Sequence, residues 1–237
     1  MREVTYGKLK TRVAGGTDGQ GGGDGPVVVL MHGFGAPGDD LVGLANALPG
    51  APQHTRYVFP EAPMSLGGPY GDGRAWWMID LAVLQRRAMG ERVERSNELP
   101  DGLVKARELV REMLDAMTAD LAPSPKGLIL GGFSQGSMVT CDVALHDDRE
   151  FAGLILFSST LIAQQVWEPR MAKRKGLPIL QSHGREDPVL AFEDAMQLRN
   201  LWQTAGADLT FVEFAGGHAI PPQVLAAAGQ FIHNVVG

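Results

Sequence analysis

The stretch Gly127-Leu128-Ile129-Leu130-Gly131-Gly132-Phe133-Ser134-Gln135-Gly136 constrains this chain more than any other. An apolar run of strand length ends in G-x-S-x-G and passes into a segment of helical spacing, about Gln135 to His146. That order specifies a buried strand, a sharp turn at serine and a helix, with the serine hydroxyl projecting at the end of a sheet. Gly132 and Gly136 carry no side chains to collide as the turn tightens. The helix directs its free N–H groups and positive dipole end back at the serine, where developing negative charge is stabilised.

The flanking segments repeat the theme. Val27-Val28-Val29-Leu30-Met31 is a continuous apolar run suited to a strand buried on both faces. Arg56–Phe59, Gly153–Phe157, Pro178–Ser182 and Leu209–Phe214 are further strand candidates, and Val4–Val13 alternates like one edge strand. Helical spacing is expected over Asp39–Leu48, with Asp39 or Asp40 as N-cap, and over 135–146, about 191–205 and 222–235. It is strongest over Asp101–Leu121, where Pro123 and Pro125 follow. Strands alternating with helices specify an α/β fold, a mostly parallel central sheet covered by helices on both faces. We read 1–237 as one such domain. Gly15–Gly25 is a flexible glycine-rich loop with no Gly-Lys-Ser/Thr to make it a phosphate cradle. Segments 60–100 and 161–176 are excursions near the mouth of the site, with a helical stretch expected over 81–99 and a flap over Leu161–Trp167.

Composition narrows the function. A net charge of -6 and a pI near 5.5 argue against nucleic acid as a partner. The run Gln85–Arg92 reads as a solvated face. One cysteine, Cys141, precludes an internal disulfide and reads as a small buried hydrophobe. The N-terminus lacks a signal-peptide core, and no stretch approaches the ~20 apolar residues of a membrane span. A cytoplasmic protein without stable membrane insertion is expected. Apolar loops around the mouth would suit a homodimer contact.

A serine needs a base to take its proton and a third group to orient that base. Behind an elbow of this type the acid and then the histidine follow in the chain. His218 lies in a loop just past the strand Leu209–Phe214, where parallel sheets keep their sites. His233 sits inside the terminal helix, and His183 precedes the candidate acids. In His183-Gly184-Arg185-Glu186-Asp187-Pro188-Val189, Asp187 is favoured over Glu186, with an N-cap role near Leu190 as its alternative. Asp208 starts a strand at the wrong end. The oxyanion donors are assigned to the backbone N–H groups of Gln135, directly after the nucleophile, and of Phe34 in the turn His32-Gly33-Phe34-Gly35. His32 reads as a support for that turn. Phe34, Trp76, Trp77, Leu161, Ile162 and Val189 lie on loops that could line an acyl pocket.

These residues together resemble the phospholipase/carboxylesterase family of α/β-hydrolases, which includes acyl-protein thioesterases and small bacterial carboxylesterases. The resemblance runs through Leu30–Gly35, Gly131–Gly136, His183–Val189 and Gly217-His218-Ala219-Ile220, in family order across almost the whole chain. It implies a Ser-Asp-His esterase that uses no metal or cofactor, with roles on Ser134, Asp187 and His218 and an acyl-enzyme intermediate. It also implies a small-molecule ester substrate, and a tryptophan segment at Arg74-Ala75-Trp76-Trp77 beside the acyl pocket. Thioester or lysophospholipid hydrolysis by the same residues is the alternative; a non-catalytic binding protein is disfavoured because every chemical position is filled. Departures fall at Met78-Ile79 before Asp80, at Ala36-Pro37-Gly38 and over 80–100, all of which bear on substrate choice.

Overall fold

The computed structural model describes residues 1–80, 86, 89, 96–124 and 126–236. Ten strands are present among them: β1 (Arg2–Tyr6), β2 (Leu9–Gly15), β3 (Val27–Met31), β4 (Arg56–Pro60), β5 (Met64–Ser65), β6 (Arg74–Ala75), β7 (Leu128–Phe133), β8 (Gly153–Phe157), β9 (Pro178–Gly184) and β10 (Asp208–Phe214). The α-helices are α1 (Leu103–Leu121), α2 (Gln135–His146), α3 (Gln164–Met171), α4 (Phe192–Thr204) and α5 (Pro222–Val236).

Eight strands form one sheet in the order β1-β2-β4-β3-β7-β8-β9-β10, parallel from β4 onward and antiparallel at the β1-β2-β4 edge. This is the fold of α/β-hydrolases. Alternate residues of the central strands enter two separate cores. Val27, Val29 and Met31 join a layer with α1 and α2 residues such as Val110, Met113 and Val139, whereas Val28 and Leu30 join the opposite layer with Val224, Ala228 and Ile232 of α5. A continuous apolar run is what a strand covered on both faces requires. The chain leaves β3 toward β4 and later returns to β3's other side as β7. The carboxyl ends of β3 and β7 therefore flank the switch point at which open parallel sheets place their crevice.

Two local expectations are corrected, over Val4–Val13 and over 39–48. Val4–Val13 is two strands, because Gly7 takes φ of +57 and reverses the chain with Tyr6 opposite Leu9. In the 15–25 loop, Asp18 Oδ1 accepts the N–H groups of Gln20 (2.7 Å) and Gly22 (2.9 Å), and Arg2 Nε donates to the Gln20 carbonyl. Over 39–48 only a short 3₁₀ turn forms, Val42–Asn46, with no side-chain cap. Gly43 within it and Pro49 after it leave too little chain for α-helix. The 60–77 segment contains the ribbon β5–β6, with Met64 opposite Ala75. The helix expected over 81–99 and the run Gln85–Arg92 fall mostly outside the described residues; residues 96–99, which are described, form a turn and an irregular stretch, not helix. Among the described residues, no helix is long and apolar enough to cross a membrane.

Candidate active site

Ser134 sits between β7 and α2 with φ of 55 and ψ of -118, a conformation rarely adopted by a residue with a side chain. Its N–H donates to the Phe157 carbonyl at the end of β8, and its carbonyl accepts from Ser137 N–H and Met138 N–H. The two flanking glycines are sterically required. A Cβ on Gly136 would lie 2.0 Å from the Met31 carbonyl oxygen, and one on Gly132 2.4 Å from the Gly136 carbonyl carbon. Close packing of the elbow against the end of β3 brings the 32–35 turn to the serine; a Cβ on Gly33 would meet Ser134 Cβ at 3.3 Å. Phe34 and Gln135, the two assigned N–H donors, both line the cavity onto which Ser134 opens.

The loops after β9 and β10 meet on the other side. Glu186 N–H donates to the Gly216 carbonyl, and a Cβ on Gly184 would lie 2.3 Å from the Gly217 oxygen, so only glycine allows this approach. His218 Nδ1 lies 2.7 Å from Asp187 Oδ2, and the His218 ring packs on Phe133 at 4.7 Å between centroids. With Nδ1–H donating to the carboxylate, Nε2 is left for the cavity side. Asp187 Oδ1 accepts the N–H groups of Val189 (2.8 Å) and Leu190 (2.9 Å). Burial alone would raise the Asp187 carboxyl. The His218 hydrogen bond, that ring's positive charge and the two backbone donors outweigh it and hold the group below the ordinary carboxylate range. Asp187 makes an Asx-type turn here; α4 starts later, at Phe192.

The other candidates are elsewhere. Glu186 is exposed, as is His233 on α5, and Asp208 begins β10 at the opposite end of the sheet. His32 is buried and braces its loop: it bonds the Gly33 carbonyl through Nδ1 (2.8 Å) and accepts Ala62 N–H at Nε2 (3.0 Å). Cys141 is fully buried, and burial pushes its thiol up to about 12, far from a usable thiolate.

The cavity has a volume of about 210 Å³. Of the expected pocket residues, Phe34, Trp77, Ile162 and Val189 line it, joined by Ile79, Pro100, Met138, Thr160 and Leu190. Trp76 and Leu161 do not. The Trp76 ring turns inward, its Nε1–H donating 2.9 Å to the His32 carbonyl, and Leu161 is absorbed into the core of that face. The Leu161–Trp167 stretch is likewise no free flap. Ala163 N–H donates to the Glu98 carbonyl, Gln164 N–H to the Ser96 carbonyl, α3 starts at Gln164, and Trp167 Nε1–H reaches buried Asp142.

Two features were missed from sequence. The Gln135 side chain ties the tryptophan segment to the elbow, its Oε1 accepting Trp76 N–H (2.9 Å) and its Nε2 donating to the Trp77 carbonyl (2.8 Å). His183 is buried against the acid, Nε2 lying 2.9 Å from the Leu190 carbonyl and 3.4 Å from Asp187 Oδ2. Its i,i+4 spacing to Asp187 was the available signal. Among the described residues, no group of three or more His, Cys, Asp or Glu side chains is placed to hold a metal ion.

A family model described as phospholipase/carboxylesterase matches residues 21–236. A probable carboxylesterase of Oryza sativa subsp. japonica is 30% identical over 212 residues, covering 87% of this chain and 76% of that one. Acyl-protein thioesterase 1 of Schizosaccharomyces pombe is 28% identical over 218 residues, covering 89% and 91%. Among solved structures, esterase PE8 superposes with a TM-score of 0.81 at 27% identity, covering 96% of this chain and 99% of that one. A carboxylesterase from Mesorhizobium loti shares the fold with a TM-score of 0.75 at 16% identity, covering 98% and 97%.

Proposed function

This chain belongs to the phospholipase/carboxylesterase family and is an ester hydrolase, and on that premise we propose that it is a serine carboxylesterase working through Ser134, Asp187 and His218. The observation that carries the reading is the 2.7 Å Asp187–His218 contact on the rim of the apolar cavity that Ser134 also lines. His218 removes the Ser134 proton as Oγ attacks the ester carbonyl, and Asp187 orients the imidazole and stabilises its charged form. The tetrahedral oxyanion rests on the N–H groups of Phe34 and Gln135, each worth on the order of 3 kcal/mol in the transition state. His218 then protonates the leaving alcohol, and water resolves the acyl-enzyme by the same steps in reverse order.

The cavity favours a modest acyl group. A cavity of about 150 Å³ holds a benzene ring, so about 210 Å³ encloses roughly six to eight carbons of an acyl chain. Hydrolysis of thioesters, the activity in the names of several relatives, or of lysophospholipids by the same residues is the second reading. Comparison of an oxyester, a thioester and a lysophospholipid at equal acyl length tests the assignment. The oxyester of a six-carbon acid is expected to have the largest kcat/KM; preference for the thioester or the lysophospholipid would replace this reading with the second one.

A further inference from the structure

His183 is a buried titratable group that the proposed mechanism does not use. It is the next-to-last residue of β9, a strand paired on both sides, with β8 and with β10. Its side chain is wholly buried. Burial lowers its pKa and keeps the ring neutral. A neutral imidazole has one N–H, and the two groups that Nε2 meets, the Leu190 carbonyl (2.9 Å) and Asp187 Oδ2 (3.4 Å), are both acceptors. Nε2 therefore carries the proton and donates it to the Leu190 carbonyl.

The same residue, Leu190, holds the acid. Its N–H donates to Asp187 Oδ1 (2.9 Å), while Asp187 Oδ2 meets His218 Nδ1 at 2.7 Å. The links form one chain from the sheet to the base: His183 to Leu190, Leu190 to Asp187, Asp187 to His218. Residues 187–191 lie between β9 and α4, so their position rests on such bonds and not on a strand or helix of their own. The His183 ring also packs against Phe192, the first residue of α4, at 6.2 Å between centroids. An apolar side chain would fill this space without burying a polar ring; what histidine adds is a donor at this depth.

We infer that His183 is a positioning residue for the hydrolysis: by holding the Leu190 carbonyl it keeps Leu190 N–H on Asp187 Oδ1, and so keeps Asp187 Oδ2 on His218. The inference rests on the serine-esterase reading of Ser134, Asp187 and His218 and adds the group that aims the acid.

The test compares His183→Gln with His183→Asn. Glutamine carries an N–H as many bonds from Cα as histidine Nε2, whereas the amide nitrogen of asparagine matches Nδ1 and falls short of Leu190. Hydrolysis of p-nitrophenyl acetate and hexanoate is measured for each variant in the wild-type and the Asp187→Asn backgrounds. His183→Asn should lower kcat about ten- to hundredfold, as misplacement of a reacting group by about 1 Å can, with KM little changed and the same loss for both esters. His183→Gln should keep kcat within about threefold of the wild type, less than the worth of one hydrogen bond. In the Asp187→Asn background, His183→Asn should change kcat by less than about threefold, because residues that act through one another are not additive. His183→Leu replaces His183→Asn, with the same expectation, should the asparagine variant not fold. An undiminished kcat in His183→Asn, an equal loss in His183→Gln, or a loss of the same size in the Asp187→Asn background would overturn the inference while leaving the serine-esterase reading intact. So would a loss confined to hexanoate, which would assign His183 to the acyl wall through Leu190, itself a lining residue of the cavity. Wild-type activity in Asp187→Asn alone would overturn both.

Discussion

The rim proposed to carry the catalysis and the wall proposed to receive the acyl group face each other across one cavity, and they are held by different means. On the rim, Ser134, Asp187 and His218 each follow the carboxyl end of a parallel strand, so sheet register brings together residues 31 positions apart or more. On the wall, Trp77, Ile79, Pro100, Thr160 and Ile162 come from segments outside the sheet. Those segments are joined by contacts such as the Gln135 amide on Trp76 and Trp77 and Ala163 N–H on Glu98. On the proposed reading, chemistry therefore depends on the sheet and substrate choice on links outside it.

The comparison can be broken at either side, and the rim should respond most. Asp187→Asn keeps the size of the side chain but favours the wrong histidine tautomer; kcat should fall about 10⁴-fold with KM little changed, as steady-state kinetics on an activated ester will show. A loss under tenfold would remove Asp187 from its role.

Changes on the wall should be smaller and depend on the acyl group. Gln135→Leu retains the backbone N–H but cuts both links to the tryptophan segment. With a net contribution of about 1 kcal/mol for each bond, about 2 kcal/mol for the pair, kcat/KM for a hexanoate ester should drop by up to about thirtyfold, and for acetate much less. Equal losses for both esters would mean that the amide serves the chemistry and not the wall.

The smallest effect is a pH dependence of stability. Burial lowers the pKa of both His183 and His32, so the fold keeps them neutral. Unfolded histidine titrates at about 6.5. Below that pH the unfolded chain binds protons that the folded chain refuses, so stability is full above it and declines as pH falls. Thermal melts from pH 7.5 to pH 5.5 should show Tm falling, and His183→Gln, even if less stable throughout, should fall less steeply. An unchanged slope would mean that His183 takes up its proton in the folded state.

The same division decided what could be read from the amino-acid sequence. The placement of Ser134, Asp187 and His218 at one cavity was legible because each stands in a short pattern at the end of a recognisable strand, and chain order suggests the roles proposed for them. Trp76 and Trp77 are adjacent and chemically alike. Only the folded chain decides that Trp77 lines the cavity while Trp76 Nε1 seeks the His32 carbonyl. Leu161 beside Ile162 poses the same ambiguity. Gln135 was visible as a backbone donor, but its side-chain partners lie 58 and 59 residues away. The β1–β2 hairpin, by contrast, carried its signal in Gly7, where reversal was cheap for the backbone.

In the proposed mechanism the acyl group passes through Ser134. Rapid quenching of the enzyme with an activated hexanoate ester, followed by peptide mass spectrometry, tests it directly. The account predicts a hexanoyl mass increase on the peptide containing Ser134 that forms faster than it decays and is absent in Ser134→Ala. Turnover with no adduct on Ser134, or an adduct that persists in Ser134→Ala at the wild-type rate, would contradict it.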